Sequence, residues 1–352
     1  MMNAENKFPI QISLNNYYRM LLLIENKNNT DPFINLALEE YCVRNLDMSV
    51  DYLLFYINKP AVIIGKHQNT IEEINTEYVS ENNVPVVRRI SGGGAVYHDE
   101  GNLNFSFMTK HSQQSIHNFK LFTEPVIRVL NELGVNAELN GRNDITVSGK
   151  KISGNAQFTD TRSMFSHGTL LFDSNLDNVV RALNVNPEKI ESKGIKSIRS
   201  RVANIRDYIT GSMSIGEFKE KIIESVFNFS KDLSGNVFNL SDYQWNEVLN
   251  LSESKYRTWE WNFGRSPEFN VRKVKRFDFG QVDIRLNVKN GLIDGIKIYG
   301  DFLGHGDLSE LENNLTGIKY EKVFISEALN NVDIQNYLGD IEKAEIVNFF
   351  TE

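Results

Sequence analysis

Three consecutive glycines, Gly92, Gly93 and Gly94, follow the arginines Arg88 and Arg89 and precede His98 in the run RRISGGGAVYHDEGN. Glycine has no Cβ and reaches positive φ without penalty, so such a run can turn tightly and aim several N–H groups into one concavity. The arginines add charge, and the combination suits close approach to an anion. Asn143 and Asp144 in GRNDI, Lys150 and Lys151 in GKKISG, Asn155, and His167 in HGTLLF are further polar groups at expected strand ends or tight turns. Cations and amides around a single carboxylate suit an anion held together with a metal.

Several function classes drop out. A Walker motif ending at Lys150 needs glycine at 144 and Ser or Thr at 151, where Asp144 and Lys151 stand, and the glycine run is not GxGxxG. The six histidines show no HExxH or Cys/His ligand spacing, which argues against a dedicated zinc site. A net charge of -8 argues against a general nucleic-acid binder. No apolar run approaches the ~20 residues of a membrane span, and MMNAENKFPI lacks the basic and apolar regions of a signal peptide, so a cytoplasmic protein without a membrane partner is expected. The single cysteine, Cys42, agrees with a reducing compartment.

The 352 residues exceed what one core usually organises, and two domains are expected. Asp31 followed by Pro32 reads as an N-cap and first-turn proline, opening a helix whose apolar stripe is Ile34, Ala37, Leu38, Tyr41 and Cys42. Cys42 on that stripe reads as inert core filler. Strands are expected at Tyr18 to Ile24, Leu53 to Ile57, Ala61 to Ile64 and on both sides of the glycine turn, where Leu103, Phe105 and Phe107 alternate with polar residues. Asn118 to Leu133 carries helical spacing, with Pro125 as a kink and Gly134 as a stop. A β-rich block follows, with turns expected at Ser148–Gly149 and Ser166–Gly168, and Leu176 to Leu249 reads as mostly helical. Gly264 and Pro267 mark a boundary; beyond it, strands joined at Asn290–Gly291 and helices near Leu308 to Leu315 and Ile325 to Leu338 form a small α+β unit.

The motifs RRISGGGAVYHDEGN, GRNDI, KKISGNAQ, HGTLLF, KGIKSIRSRV and TWEWNFGRSP, in this order, resemble those of lipoate-protein ligases, relatives of the biotin ligases. The resemblance spans roughly residues 17 to 350 and leaves the first sixteen residues and the Asn-rich tracts outside. It implies an α+β fold: a large mixed-sheet catalytic domain of biotin/lipoate ligase type over 1–262 and a small C-terminal α+β accessory domain over 263–352. It further implies an enzyme that activates lipoate with ATP to lipoyl-AMP and passes the lipoyl group to a lysine of a carrier lipoyl domain. The implied carriers are 2-oxoacid dehydrogenase E2 subunits and/or the glycine cleavage H protein. ATP with Mg²⁺ and lipoate would be substrates, with no permanently bound cofactor.

By motif, Lys151 matches the family's essential lysine, which touches the α-phosphate and the acyl carbonyl. Lys150 is the adjacent alternative, and only one of two successive strand residues can face the site. Asp144, beside Asn143, becomes the Mg²⁺ carboxylate. Arg89 and Ser91, with Gly92, Gly93, Gly94 and Ala95, would hold lipoate and the adenylate phosphate, whereas Arg88 is expected to face away as a surface or salt-bridge residue. His98 and Asn143 would belong to the same adenylate site, and His167 would line the acyl or carbonyl position. Lys193, Lys196, Arg199 and Arg201 would belong to a loop that orders over the adenylate.

Two other readings compete. Octanoyl or lipoyl transferases share GRNDI and GKKISGNAQ but use a cysteine nucleophile and no ATP, and Cys42 is badly placed for that part. A non-catalytic binder of lipoyl domains could use the basic run Lys273, Lys275 and Arg276 to attract an acidic partner, although such charges on an exposed strand edge also serve to prevent aggregation.

Overall fold

The computed structural model describes residues 11–13, 18–183, 201–227, 235–264 and 269–351. The strands among them are, in chain order, β1 (Gln11–Ser13), β2 (Tyr18–Ile24), β3 (Asp51–Ile57), β4 (Ala61–Ile64) and β5 (Val86–Arg88). Next come β6 (Val96–His98), β7 (Asn102–Lys110), β8 (Ala137–Asn140), β9 (Asp144–Val147) and β10 (Lys150–Thr159). The last are β11 (Ser163–Leu171), β12 (Val237–Phe238), β13 (Val271–Phe277), β14 (Gly280–Lys289) and β15 (Leu292–Gly300). The chain divides into two compact units, one of 1–61, 98–180 and 186–254, the other of 62–97, 181–185 and 255–352.

The first unit is built on a nine-stranded mixed sheet of order β1-β2-β3-β7-β11-β10-β9-β8, with β12 added parallel to β2. Strand alternation puts Leu53, Phe55, Leu103, Phe105 and Phe107 on one face, where they share a core with Phe122, Val126 and Val129 of helix Phe119–Glu132 and with Phe218, Ile222 and Ile223 of helix Ile215–Val226. The other face carries Ser106 opposite His167. Helix Pro32–Asn45 reaches that face through Glu39. Its start is as expected: the Asp31 carboxylate accepts from the Phe33 and Ile34 N–H groups, with Pro32 in the first turn, a cap worth about 1 kcal/mol. Helix Phe119–Glu132 contains Pro125, and Gly134 follows at φ +80°.

Two local expectations need correction. Ser166–Gly168 is no turn: β11 runs unbroken through it, paired to β7 on one side and β10 on the other. Gly168 is needed for room, since a Cβ there would lie 2.1 Å from Asn155 Oδ1 and 2.7 Å from the Phe105 ring. The segment expected as one helix from Ile325 to Leu338 is two, Lys322–Ala328 and Ile334–Leu338, the second capped by the Asp333 carboxylate accepting from the Asn336 N–H.

The second unit contains two small sheets, β5-β4-β6, of which Ala61 and His98 belong to the first unit, and the antiparallel meander β13-β14-β15. Asn290 at φ +53° and Gly291 at φ +75° make the hairpin turn between β14 and β15, the conformation that Asn-Gly favours. Val282, Ile284, Leu286, Ile296 and Ile298 of the meander pack on Leu308, Leu311 and Leu315 of helix Leu308–Leu315. Asp283 on β14 is buried between Arg272 and Arg285, and Arg285 also reaches Glu72. Burial pushes the Asp283 carboxyl upward, but hydrogen bonds and charge from the two arginines outweigh it and hold the group below its ordinary value. A depressed carboxyl stabilises the fold above the unfolded pKa, near 4, and loses that contribution as pH falls through the folded value. Asp283→Asn is therefore expected to lower the thermal midpoint at pH 7, with the gap to the parent closing below about pH 4. A gap unchanged from pH 7 to pH 3 would contradict the assignment.

Candidate active site

Lys151, Asp144, Asn143, His98, His167 and Arg201 lie in the first unit; Arg89, Ser91, Gly92 to Gly94 and Ala95 lie in the second. Lys193, Lys196 and Arg199 are outside the described residues.

In the first unit the register decides what faces what. Ser148 at φ +50° and Gly149 at φ +73° form the tight turn between β9 and β10, so Lys150 pairs with Val147 and Lys151 with Thr146. The pairing then slips: Ser153 is opposite Ile145 and Gly154 opposite Asp144, which makes Ile152 the extra residue of a β-bulge. In a regular strand Lys151 and Gly154 would point to opposite faces, but the bulge brings them to the same one. Lys151 Nζ lies 2.8 Å from Asp144 Oδ1, and a Cβ on Gly154 would sit 2.8 Å from Nζ and 2.9 Å from Cε. Gly154 thus gives the lysine the space to lie across the strand toward its carboxylate. Lys150 instead lines a groove of about 430 Å³ with Ser174, Asn175, Asp177 and Asn204.

Asn143 is a clasp. Its carbonyl accepts from both the main-chain N–H and the amide of Asn155, and its own amide donates to the Asn155 carbonyl. This fixes the approach to Asp144. Arg201 contributes through its backbone, its carbonyl accepting from the Lys151 N–H at 2.7 Å while Ala203 donates to the Lys151 carbonyl. The end of the basic segment is thereby tied to the lysine itself.

His167 is 8 % exposed, and its Nδ1 lies 3.0 Å from both carboxylate oxygens of Glu39. The ring therefore donates from Nδ1, and the carboxylate holds its orientation. Sequence reading did not single out Glu39, which is 128 residues away. Its only local signal is a carboxylate in a helical segment whose residues 35 to 40 all turn out to be buried. Three residues beyond Glu39, Cys42 is fully buried, and burial, with a smaller contribution from Glu39, pushes its thiol well above the ordinary range. The native thiol is expected to resist maleimide, and Cys42→Ala to retain activity within about twofold, as for inert buried thiols. Rapid labelling of the folded protein, or loss of activity in the variant, would restore the cysteine as a nucleophile.

In the second unit the glycine turn is braced by Arg89. The guanidinium donates to Ser91 Oγ at 3.0 Å and to the carbonyls of Gly92 at 2.6 Å and Gly94 at 2.9 Å. Gly93 has φ +90°, which favours glycine, and its N–H donates to the Phe302 carbonyl at 3.2 Å. A Cβ on Gly92 would meet that same carbonyl at 2.4 Å, whereas one on Gly94 would meet nothing within 4 Å. The turn is therefore open on the Gly94 side, next to Ala95.

Arg88 departs from expectation. It is 1 % exposed, and its guanidinium gathers the carbonyls of Gly65, Lys66, Gln68, Trp261 and Asn262 and the hydroxyl of Thr70. Its main chain is held as well, the N–H donating to Asn262 Oδ1 and the carbonyl accepting from Trp261 Nε1. The planar five-donor fork suits such a ring of oxygens, so Arg88 is a buried clamp rather than a surface residue.

A mixed sheet presenting a lysine across a bulge, together with a glycine turn, defines the class of the protein once the comparisons are added. Residues 31–227 match the lipoyl protein ligase A/B catalytic domain, and 266–350 match the bacterial lipoate protein ligase C-terminus. The lipoate-protein ligase LplJ of Bacillus subtilis is 55% identical over 328 residues, covering 93% of this chain and 99% of that protein. Among solved structures, LipL1 of P. falciparum in complex with lipoate aligns with a TM-score of 0.75 at 26% identity, covering 94% of this chain and 99% of that one. Lipoate-protein ligase A bound with ATP aligns at 0.56 and 29% identity, over 70% of this chain and 98% of that one. The chain belongs to the lipoate-protein ligase family.

Proposed function

We propose that the chain activates lipoate with ATP, forming lipoyl-AMP and pyrophosphate, and then transfers the lipoyl group to a lysine of a carrier lipoyl domain. The observation that carries this reading is the placement of Lys151 against Asp144 across the bulge. A carboxylate attacking an α-phosphate brings two anions together and builds charge on the phosphoryl oxygens, so a fixed cation is the first requirement. Lys151 supplies it, exchanging Asp144 for the phosphate and the acyl carbonyl. Arg89, Ser91, the Gly92 to Gly94 turn and Ala95 are assigned to the carboxylate and phosphate, and His98 and Asn143 to the adenylate. His167, oriented by Glu39, lines the acyl site.

Asp144 fits a Mg²⁺ ion of the kind held mainly by nucleotide phosphates and water, because such an ion needs only one or two protein carboxylates and this one is partly exposed. Among the described residues there is no cluster of three or more acidic, His or Cys side chains that could hold a metal by themselves. When bound, the ion would neutralise phosphate charge beside Lys151.

The division into an activating domain over 1–262 and an accessory domain over 263–352 belongs to the same proposal and is supported by the two matched family regions. The carriers proposed are lipoyl domains of 2-oxoacid dehydrogenase E2 subunits and/or the glycine cleavage H protein, and the site of action is the cytoplasm. Among the described residues no helix is long and apolar enough to cross a membrane. Lipoate-dependent exchange of labelled pyrophosphate into ATP tests the reading. Folded protein that catalyses no exchange yet moves acyl groups between carriers would replace ligase by transferase, and binding of a lipoyl domain with neither activity would leave a scaffold.

A further inference from the structure

The Asn-rich segment that the family motifs leave aside leads, through buried amides, to His98. Lys27 and Asn28 both have positive φ, near +53° and +54°, and the tight turn they make presents one main-chain donor and one main-chain acceptor to the side chains around it. The Asn28 N–H donates to Asn26 Oδ1 at 3.1 Å. The Asn29 carbonyl accepts from Asn26 Nδ2 at 3.1 Å and from Asn35 Nδ2 at 2.9 Å. Asn26 Nδ2 also meets Asn35 Oδ1 at 3.3 Å, Asn35 Nδ2 meets Asn58 Oδ1 at 2.8 Å, and Asn58 Nδ2 lies 2.9 Å from His98 Nδ1. Asn35, Asn58 and His98 are at most 3 % exposed, and Asn26 is 9 % exposed.

A side-chain amide can be flipped and an imidazole can carry its proton on either nitrogen, but a backbone N–H only donates and a carbonyl only accepts. The turn therefore fixes the direction of the whole chain. Asn26 must show its oxygen to Asn28, and Asn35 must show its NH₂ to Asn29. That NH₂ also faces Asn58, so Asn58 must answer with oxygen, because two NH₂ groups at 2.8 Å in a buried site would each lose a bond. The NH₂ left on Asn58 then faces His98, whose Nδ1 has to accept.

We propose that the Asn26–Asn35–Asn58 relay holds His98 as the neutral imidazole with its proton on Nε2. His98 is then a hydrogen-bond donor at Nε2 and has no role as a base there, with Asn58 its positioning residue. The consequence for catalysis rests on the placement of His98 in the adenylate site proposed above; the tautomer does not.

The test uses full-length protein labelled with ¹⁵N-histidine, the His98 signals being assigned by their loss in His98→Gln. Long-range ¹H–¹⁵N spectra at pH 7 are expected to show Nε2 protonated and Nδ1 bare. An Nδ1-protonated ring or an imidazolium would overturn the proposal, and this reading needs no other variant to fold. Asn58→Asp, of the same shape, places only oxygen at Nδ1 and is expected to switch the tautomer. It should lower kcat and kcat/KM of lipoate-dependent exchange together by about tenfold or more, as for loss of an interaction made in the transition state. A switched tautomer with unchanged kcat would overturn the positioning role. Absence of exchange by the parent protein would count against the ligase reading and leave the spectrum to decide the relay.

Discussion

Lys151→Ala is expected to abolish measurable lipoate-dependent exchange of pyrophosphate into ATP while the protein stays folded. Lys151 is partly exposed at the end of a strand, and its ion pair to Asp144 is partly exposed too, so its removal should cost little stability. Its effect on chemistry is of another size. A cation aimed at the oxygens where charge develops contributes on the order of 3 kcal/mol, or more than a hundredfold in rate, by comparison with deletion of a single oxyanion donor. Lys151→Arg is expected to recover little, since the longer planar group must fit across Gly154, where an added Cβ would already crowd the lysine. Lys150→Ala is the control: its side chain lines a different groove, and exchange should fall less than about threefold, within the range of a surface change. Equal losses at the two lysines, or near-normal exchange in Lys151→Ala with an unaltered thermal midpoint, would remove Lys151 from the reaction.

The second large effect is structural. Arg88→Met keeps most of the aliphatic bulk and removes the donors, taking the shared partner from the carbonyls of Gln68 and Trp261, while the Gly65 carbonyl is left with the Gln68 N–H. A buried group left unsatisfied costs about 1–3 kcal/mol, so the loss should reach roughly 3–5 kcal/mol even with partial relaxation. Against a typical stability of about 5–15 kcal/mol that is a large fraction, and the urea midpoint should fall accordingly. The same clamp organises the site. Lys66 N–H donates to the Ser91 carbonyl, and a Cβ on Gly65 would lie 1.9 Å from the Gly93 carbonyl, so the turn that Arg88 holds is packed against the glycine turn. Arg88→Lys keeps the charge without the fork and should sit between parent and Arg88→Met. A midpoint for Arg88→Met within the equivalent of about 1 kcal/mol of the parent would show that the carbonyls find other partners.

How much of this was legible beforehand depends on how local each cause is. The helix start at Asp31–Pro32 and the turns at Ser148–Gly149 and Asn290–Gly291 were readable because a few adjacent residues set the backbone there. Ser166–Gly168 misled for the converse reason: Ser and Gly look like a turn locally, but two flanking strands pair with the segment and the glycine answers to Asn155 and Phe105. The break between helices Lys322–Ala328 and Ile334–Leu338 did have a local signal in Asn330, Asn331 and the capping Asp333, which the run of apolar residues obscured.

By itself, then, the sequence determined the family, the α+β class and most of the residues proposed for the chemistry, because ordered motifs and turn signals are properties of neighbouring residues. Tertiary structure alone decided which groups each of them meets. The bulge at Ile152, set by pairing between β9 and β10, puts Lys151 over Gly154 and beside Asp144. Packing from distant segments turns Arg88 inward onto main-chain carbonyls, supplies Glu39 to His167, and runs three asparagine amides to His98. A buried polar group must find its partner wherever the fold brings one, and sequence separation carries no information about that distance.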